Sequence, residues 1–470
     1  MTAELCYAPI RELAELVRTR AVSSVELVTA HLDRIAEVNP IVNAIVTLDA
    51  ERALTEAAAA DAALARGEPV GPLHGLPAAF KDTHATAGMR TTFGSPLLAD
   101  NVPDSDELIV ERMRYAGVIT MGKTNVPEFA AGSHTFNPVF GLTRNPYDLS
   151  RSAGGSSGGA AVALATGMVA VAEGSDMGGS LRNPASFCNV VGLRPSPGRV
   201  PSYPDKLAWQ TMSVQGPMGR TVDDVALLLS VISGPDPRCP ISLQEAGSTF
   251  AAALGSDLTG LRVAWSPDLG GSVDVDSEVV DVLAAQVAAF SDLGCVLEQA
   301  CLNFDGADEA FRTLRAWSFA HTLGDLVRAH RDRVKPSLVR NVEAGFRLSG
   351  QDVARAEGLH TELFHRAREF FDDYDALLLP TSQVAPFDAG LEYPQTVAGK
   401  AQESYLDWMR SSYFVTVTGC PALSVPAGFT PAGLPVGLQI VGPHRADRSV
   451  LQVGLAFERA TGFGARRPVL

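Results

Sequence analysis

The chain has 470 residues, 46% of them hydrophobic, and a formal net charge of −15 at pH 7. The apolar share is ample for a large core; length alone suggests about three domains, although large α/β enzymes exceed that length as one unit. The acidic balance argues against nucleic acid as a partner, because phosphate contacts need clustered Lys and Arg.

The N-terminal MTAELCYAPIRELAELVRTR has no basic stretch leading into an apolar one, so it does not read as a secretory signal. Residues 9–38 read as two amphipathic helices. Ser23 or Ser24 caps the second, and Glu26 lies three residues after Ser23 as in a capping box. Residues 51–66 are Ala-rich and helical. Pro77–Phe80 reads as a short buried strand leading to Lys81, and Val118–Met121 as another, ended by Gly122. The apolar stretch from Ala160 to Ala172 is too short to span a membrane and contains Gly167, so it reads as a buried helix. Its end, Val169–Ala172, also fits a short strand. Thr221–Ser233 is a helix with acidic residues in its first turn, where they suit the dipole. Pro235-Asp236-Pro237 breaks it. A strand follows at Leu261–Trp265, a helix over 276–293 and a helix-rich section over 302–372. A strand at Ala376–Leu379 is stopped by Pro380. Alternating strands and helices imply a largely parallel sheet covered on both sides.

Six cysteines, Cys6, Cys188, Cys239, Cys295, Cys301 and Cys420, form no C-x-x-C pair, and no ligand cluster has metal spacing. The expectation is therefore no metal, no cofactor, and reduced thiols in a cytoplasmic protein without a membrane span.

The chemistry concentrates between Gly154 and Pro184, which reads GGSSGGAAVALATGMVAVAEGSDMGGSLRNP. It holds two Gly-flanked serine sites, Ser156 with Ser157, and Ser180. Flanking glycines let backbone N–H groups approach a reacting atom. A flexible linker does not fit, because GGSSGG runs into an Ala-rich segment of good helix propensity. A phosphate loop does not fit either, because no Lys follows the glycines. Ser180 is the candidate nucleophile. The amides of Met177, Gly178, Gly179 and Ser180 are candidate oxyanion donors.

GGSSGG followed by S-D-x-G-G-S-L-R-x-P resembles the amidase signature family of Ser-dependent amide hydrolases. The interval from Ser156 to Ser180 is 180 − 156 = 24 residues, the family's spacing. Further matches are Gly71–Asp82, Gly122–Phe129, Thr143–Pro146, Gly419–Pro426 and Gly433–Ile440. The resemblance thus covers nearly the whole chain. It implies one α/β/α domain over 1–470 with a central mixed, mostly parallel twisted sheet. Within it lie N-terminal helices (1–70), a catalytic core (71–235) and a helix-rich substrate funnel (302–410). It implies Lys81 as the base, Ser156 as a proton relay preceded by a cis peptide bond, and Ser180 as the nucleophile. Ser157 is the alternative relay. A buried Lys can lose its proton near neutrality, which suits the assignment. Two departures stand out: Ser175 replaces the family's usual Thr, and Arg151-Ser152-Ala153 replaces the commoner Ser-Pro.

Other residues have plainer readings. Asp176 and Arg182 read as an ion pair or turn-capping contacts. His74 lacks a G-x-S-x-G partner for a Ser–His–Asp triad, and Cys188 reads as a packed thiol. Substrate-pocket candidates are Gly132, Ser133, His134, Ser157, Trp209 within Tyr203–Met212, Trp317, and the Tyr405–Tyr413 segment. Their aromatic and Met content points to an apolar or aromatic substrate. The leading expectation is an amidase acting on a small-molecule carboxamide, with anilides, esters and carbamates as variants, as a monomer or homodimer. The alternatives are the glutaminase component of a tRNA-dependent amidotransferase and an inactive binding protein. The segment Ser196–Gln215 does not resemble that component's.

Overall fold

The computed structural model describes residues 2–255 and 257–470. Helix starts follow local chemistry. The Ser23 hydroxyl accepts the Glu26 N–H and the Glu26 carboxylate takes the Ser23 N–H, opening the helix Ser24–Val42. Thr221 and Asp224 make the same box for Val222–Ile232.

Fifteen strands are formed among the described residues. In chain order they are β1 Ile45–Leu48, β2 Pro77–Lys81, β3 Ile119–Thr124, the small hairpin β4 Phe136–Asn137 and β5 Gly141–Leu142, and β6 Val171–Asp176. Then come β7 Val191–Arg194, β8 Val214–Gly219, β9 Arg262–Trp265, β10 Val296–Gln299, β11 Ala376–Pro380, the hairpin β12 Thr396–Val397 and β13 Lys400–Ala401, β14 Ala422–Phe429 and β15 Pro435–Val441. Eleven of them form one sheet in the order β1-β3-β2-β6-β8-β7-β14-β15-β11-β9-β10.

The sheet is mixed, as expected, but the expected parallel majority is absent. Parallel pairs are β2/β3, β2/β6, β9/β10 and β9/β11. The other six neighbour pairs are antiparallel. One reason is the central hairpin β14–β15, whose short turn permits only antiparallel pairing. Both faces are covered. Along β2, Ala78 and Phe80 pack into the core beneath Ile10–Arg18, Val222–Ile232 and Asp447–Thr461. Ala79 packs into the opposite core with Gly158–Ala165, Arg182–Phe187 and Ala307–Ala329. Strand alternation puts Lys81 on the Ala79 face.

Several boundaries differ from the sequence reading. Strand β3 continues through Gly122 because β1 lies so close there that a Cβ would stand 2.0 Å from the Thr47 carbonyl oxygen. The buried helix ends at Ala165, and Val171 starts a strand running to Asp176. Pro380 lies inside β11, paired with Leu438. Strands β7 and β8 and the helix Asp447–Thr461 had no clear sequence signal. The section 302–410 contains β11, a strand of the main sheet, beside its three long helices.

Candidate active site

Lys81 ends β2 and is fully buried. Its Nζ lies 2.8 Å from Ser156 Oγ, 2.9 Å from Ser157 Oγ and 2.9 Å from Ser175 Oγ. Burial pulls its pKa down to about 7, against the opposing pull of Glu173, Asp176 and Glu107. A neutral amine has two N–H donors and one lone pair. Among three hydroxyls it donates to two and accepts a hydrogen bond from the third. Ser156 and Ser157 lie at the start of the helix Gly158–Ala165, and the Gly155–Ser156 peptide is cis.

The Ser180 turn lies against this corner. The Ser157 N–H donates to the Ser180 carbonyl at 3.2 Å, which sets the two serine segments side by side. Asp176 clamps the turn through its carboxylate, which accepts the N–H groups of Gly179 and Leu181 at 3.0 Å each. Arg182 donates to the same carboxylate at 2.8 and 3.0 Å, and Arg194 approaches to 3.4 Å. Burial works against the Asp176 carboxylate, yet these arginines hold its pKa well below the usual range. Asp176 and Arg182 are thus the buried ion pair the sequence suggested. Gly179 adopts φ +105°, and an added Cβ would stand 2.6 Å from Ser412, so only Gly fits. Of the four candidate oxyanion amides, one is spent: the Gly179 N–H is taken by Asp176, so only those of Met177, Gly178 and Ser180 stay candidates.

The model of the Amidase family matches residues 26–451. This chain belongs to the amidase family. An acylamidase of Rhodococcus erythropolis is 38% identical over 97% of this chain and 96% of its own. A glutamyl-tRNA(Gln) amidotransferase component from Moorella thermoacetica is 37% identical over 99% of each. A bacterial aryl acylamidase of the amidase signature family superposes with a TM-score of 0.92 at 31% identity, over 98% of this chain and 99% of that one. The protein is a hydrolase of carboxamide C–N bonds.

In this amidase the pocket candidates separate. Ser133 donates to the Gly155 carbonyl at 2.7 Å and accepts from Asn183 at 3.1 Å, so it braces the serine loop. Both His134 nitrogens are engaged, Nδ1 with Ser152 Oγ at 2.7 Å and Nε2 with the Ala389 carbonyl at 3.0 Å. Burial pulls the His134 pKa down to about 4. Ser133 and His134 are therefore corrected from substrate contacts to supports, since their polar atoms are spent inside the protein. Gly132 lies beside Lys335: a Cβ there would stand 3.4 Å from its Nζ. Ser157 belongs to the Lys81 corner.

Trp209 and Trp317 border the same space. They line one cleft of about 620 Å³ with Met212, Leu314, Glu357 and His360. Trp209 is 78% exposed at its rim. The helix Ala307–Ala329 links this cleft to the reactive turn: Phe311 lies against Gly178, while Leu314 and Trp317 line the cleft. From Phe311 to Trp317 is roughly 9 Å along the helix.

Sequence reasoning missed Glu173, which stands fully buried in β6 and accepts the Lys81 backbone N–H at 2.8 Å. A carboxylate directly after the apolar run Val169–Ala172 was the available signal. It also missed Lys123, a second fully buried lysine at the end of β3. No helix among the described residues is long and apolar enough to cross a membrane.

Proposed function

We propose that this amidase works through a Ser180 acyl-enzyme, with Lys81 as base and Ser156 as relay. The observation that carries the reading is the buried Lys81 amine held among serine hydroxyls. Ser180 Oγ attacks the amide carbonyl while its proton passes to Ser156 and the Ser156 proton passes to Lys81. The amides of Met177, Gly178 and Ser180 take the developing oxyanion. The Lys81 proton then returns through Ser156 to the leaving nitrogen, the C–N bond breaks, and the amine departs. Water attacks the ester by the same relay and frees the acid and Ser180. Ser157 and Ser175 accept the two N–H bonds of neutral Lys81, which aims its lone pair at Ser156.

The aromatic cleft supports an amide with an apolar or aryl part lying between Trp209 and Trp317. Its volume falls in the range of small-molecule sites, about 300–1,000 Å³. The amidotransferase reading draws on the 37% relative. One wall of the cleft, Lys206–Met212, lies within the segment Ser196–Gln215, which does not resemble the glutaminase component's, so we favour a stand-alone enzyme, monomer or homodimer. Six free thiols favour the cytoplasm.

The test uses a fluorophosphonate probe with intact-mass analysis, followed by a hydrolysis screen on the purified chain. One adduct on Ser180, lost in Ser180→Ala together with turnover, is expected, with anilides cleaved faster than short aliphatic amides. An adduct mapped to Ser156 or Cys188 overturns the nucleophile. Activity appearing only with partner proteins favours the amidotransferase reading.

A further inference from the structure

Beside Lys81 the structure gathers a second set of buried ionisable groups. Glu173 Oε1 accepts the Lys81 backbone N–H, and Glu173 Oε2 stands 2.6 Å from His84 Nδ1. A polar cavity of about 240 Å³ adjoins them, lined by His84, Glu107, Ser175 and Gln215, with Asp205 and Cys239 on its wall. Ser175 joins the two sides, since its hydroxyl also holds Lys81 Nζ. Glu107 is tied by Gln215 and by the Ala85 N–H at 3.3 Å. Neither carboxylate takes part in the acyl-transfer path.

We propose that Glu173, supported by Glu107, is a positioning group that sets the pH at which Lys81 becomes a working base. The proposal rests on Lys81 being the base. The acids around the amine differ in how far they are neutralised. Asp176 is neutralised by Arg182 and Arg194. Asp82, next along the chain, is hydrogen-bonded by Thr92 and faces Lys123. Glu107 has no ion pair among the described residues, while Glu173 is paired with the His84 ring and takes the Lys81 backbone N–H. A carboxylate near a buried ammonium favours the charged form. Glu173 therefore opposes the desolvation that would otherwise push Lys81 far below neutrality, and Glu107 opposes it more weakly, because burial raises its own pKa and favours its neutral form. Too low a pKa would leave a weak base, so the acids tune the amine toward the operating pH. Burial itself disfavours the Glu173 carboxylate, but His84, the Lys81 N–H and Lys123 hold its pKa below the usual value. It is thus charged wherever the enzyme works.

The test is the pH profile of kcat/KM and of fluorophosphonate labelling at Ser180. Glu173→Gln keeps an oxygen acceptor for the Lys81 N–H and removes the charge. Its acid limb should move to lower pH by about one unit, with plateau turnover reduced because the base is weaker. Glu107→Gln should move it the same way by less, and stands in if Glu173→Gln does not fold. A folded variant that loses rate equally at every pH, with its limb unmoved, shows a structural role only and overturns the proposal. Lys81→Ala separates the two readings: near-normal turnover there sinks the base assignment, whereas an inactive Lys81→Ala with unmoved Glu variants sinks this inference alone.

Discussion

The corners around Lys81 and Lys123 invite comparison. Both lysines lie at the ends of neighbouring parallel strands, and both are fully buried. Burial lowers the pKa of each, to about 7 for Lys81 and about 8 for Lys123. Their partners differ. Lys81 meets three serine hydroxyls, groups that can accept or donate. Lys123 meets the His84 carbonyl at 2.5 Å and Thr86 Oγ1 at 2.7 Å. A carbonyl can only accept, so it rewards the N–H bonds of Lys123 and offers no proton to its lone pair. Burial makes a lysine a possible base, and the donors around it decide whether it can act as one. Lys123 instead pins the chain around residues 84–86, on which His84 is carried toward Glu173.

The sharpest way to break this comparison is to delete each amine. Lys81→Ala should lower kcat by about 10²–10⁴-fold or more with the fold retained. Lys123→Ala should leave kcat within about ten-fold and lower stability by about 1–3 kcal/mol, because it removes the buried hydrogen bonds to the His84 carbonyl and Thr86 Oγ1. Steady-state kinetics and urea melts on both variants decide the matter; equal kinetic losses would erase the distinction. Next comes pH. Activity should climb through about pH 7 as Lys81 loses its proton and level off above it. An optimum near pH 5 would contradict a neutral-amine base.

A smaller effect tests the hydroxyl ring. Ser175→Ala removes one acceptor and leaves Lys81 free to turn away from Ser156, so kcat should fall by about ten-fold. Ser175→Thr, which keeps the hydroxyl, should restore most of it. The smallest effect is on stability. Unfolded Lys81 holds its proton to about pH 10.5, the folded protein only to about pH 7. Between those values the unfolded state binds more protons, so the folded state gains stability as pH rises. Lys81→Met lacks that gain. Its melting temperature relative to the unmodified protein should therefore fall between about pH 7 and about pH 10, as calorimetry at the two pH values would show.

The sequence by itself determined the reactive segments. GGSSGG and SDMGGS carry their turns locally, and the apolar Pro77–Phe80 run delivers Lys81 to a buried strand end. Capping chemistry at Ser23 and the acidic opening at Thr221 were readable because such bonds span only three residues. Tertiary structure decided what those segments meet. The antiparallel pairs escaped because pairing direction depends on which strands come together, and β7 meets β14 across more than two hundred residues. Ser133 and His134 looked available until Gly155, Asn183, Ser152 and Ala389 took their polar atoms. Gly179 looked like an oxyanion donor until Asp176, already held by arginines from two other positions, claimed its N–H. Trp209 and Trp317 face one cleft only because a long helix brings them together across more than a hundred residues. Local hydrogen bonds and side-chain periodicity are written in short stretches of sequence; the competition for each buried donor and acceptor is resolved only when distant stretches share one interior.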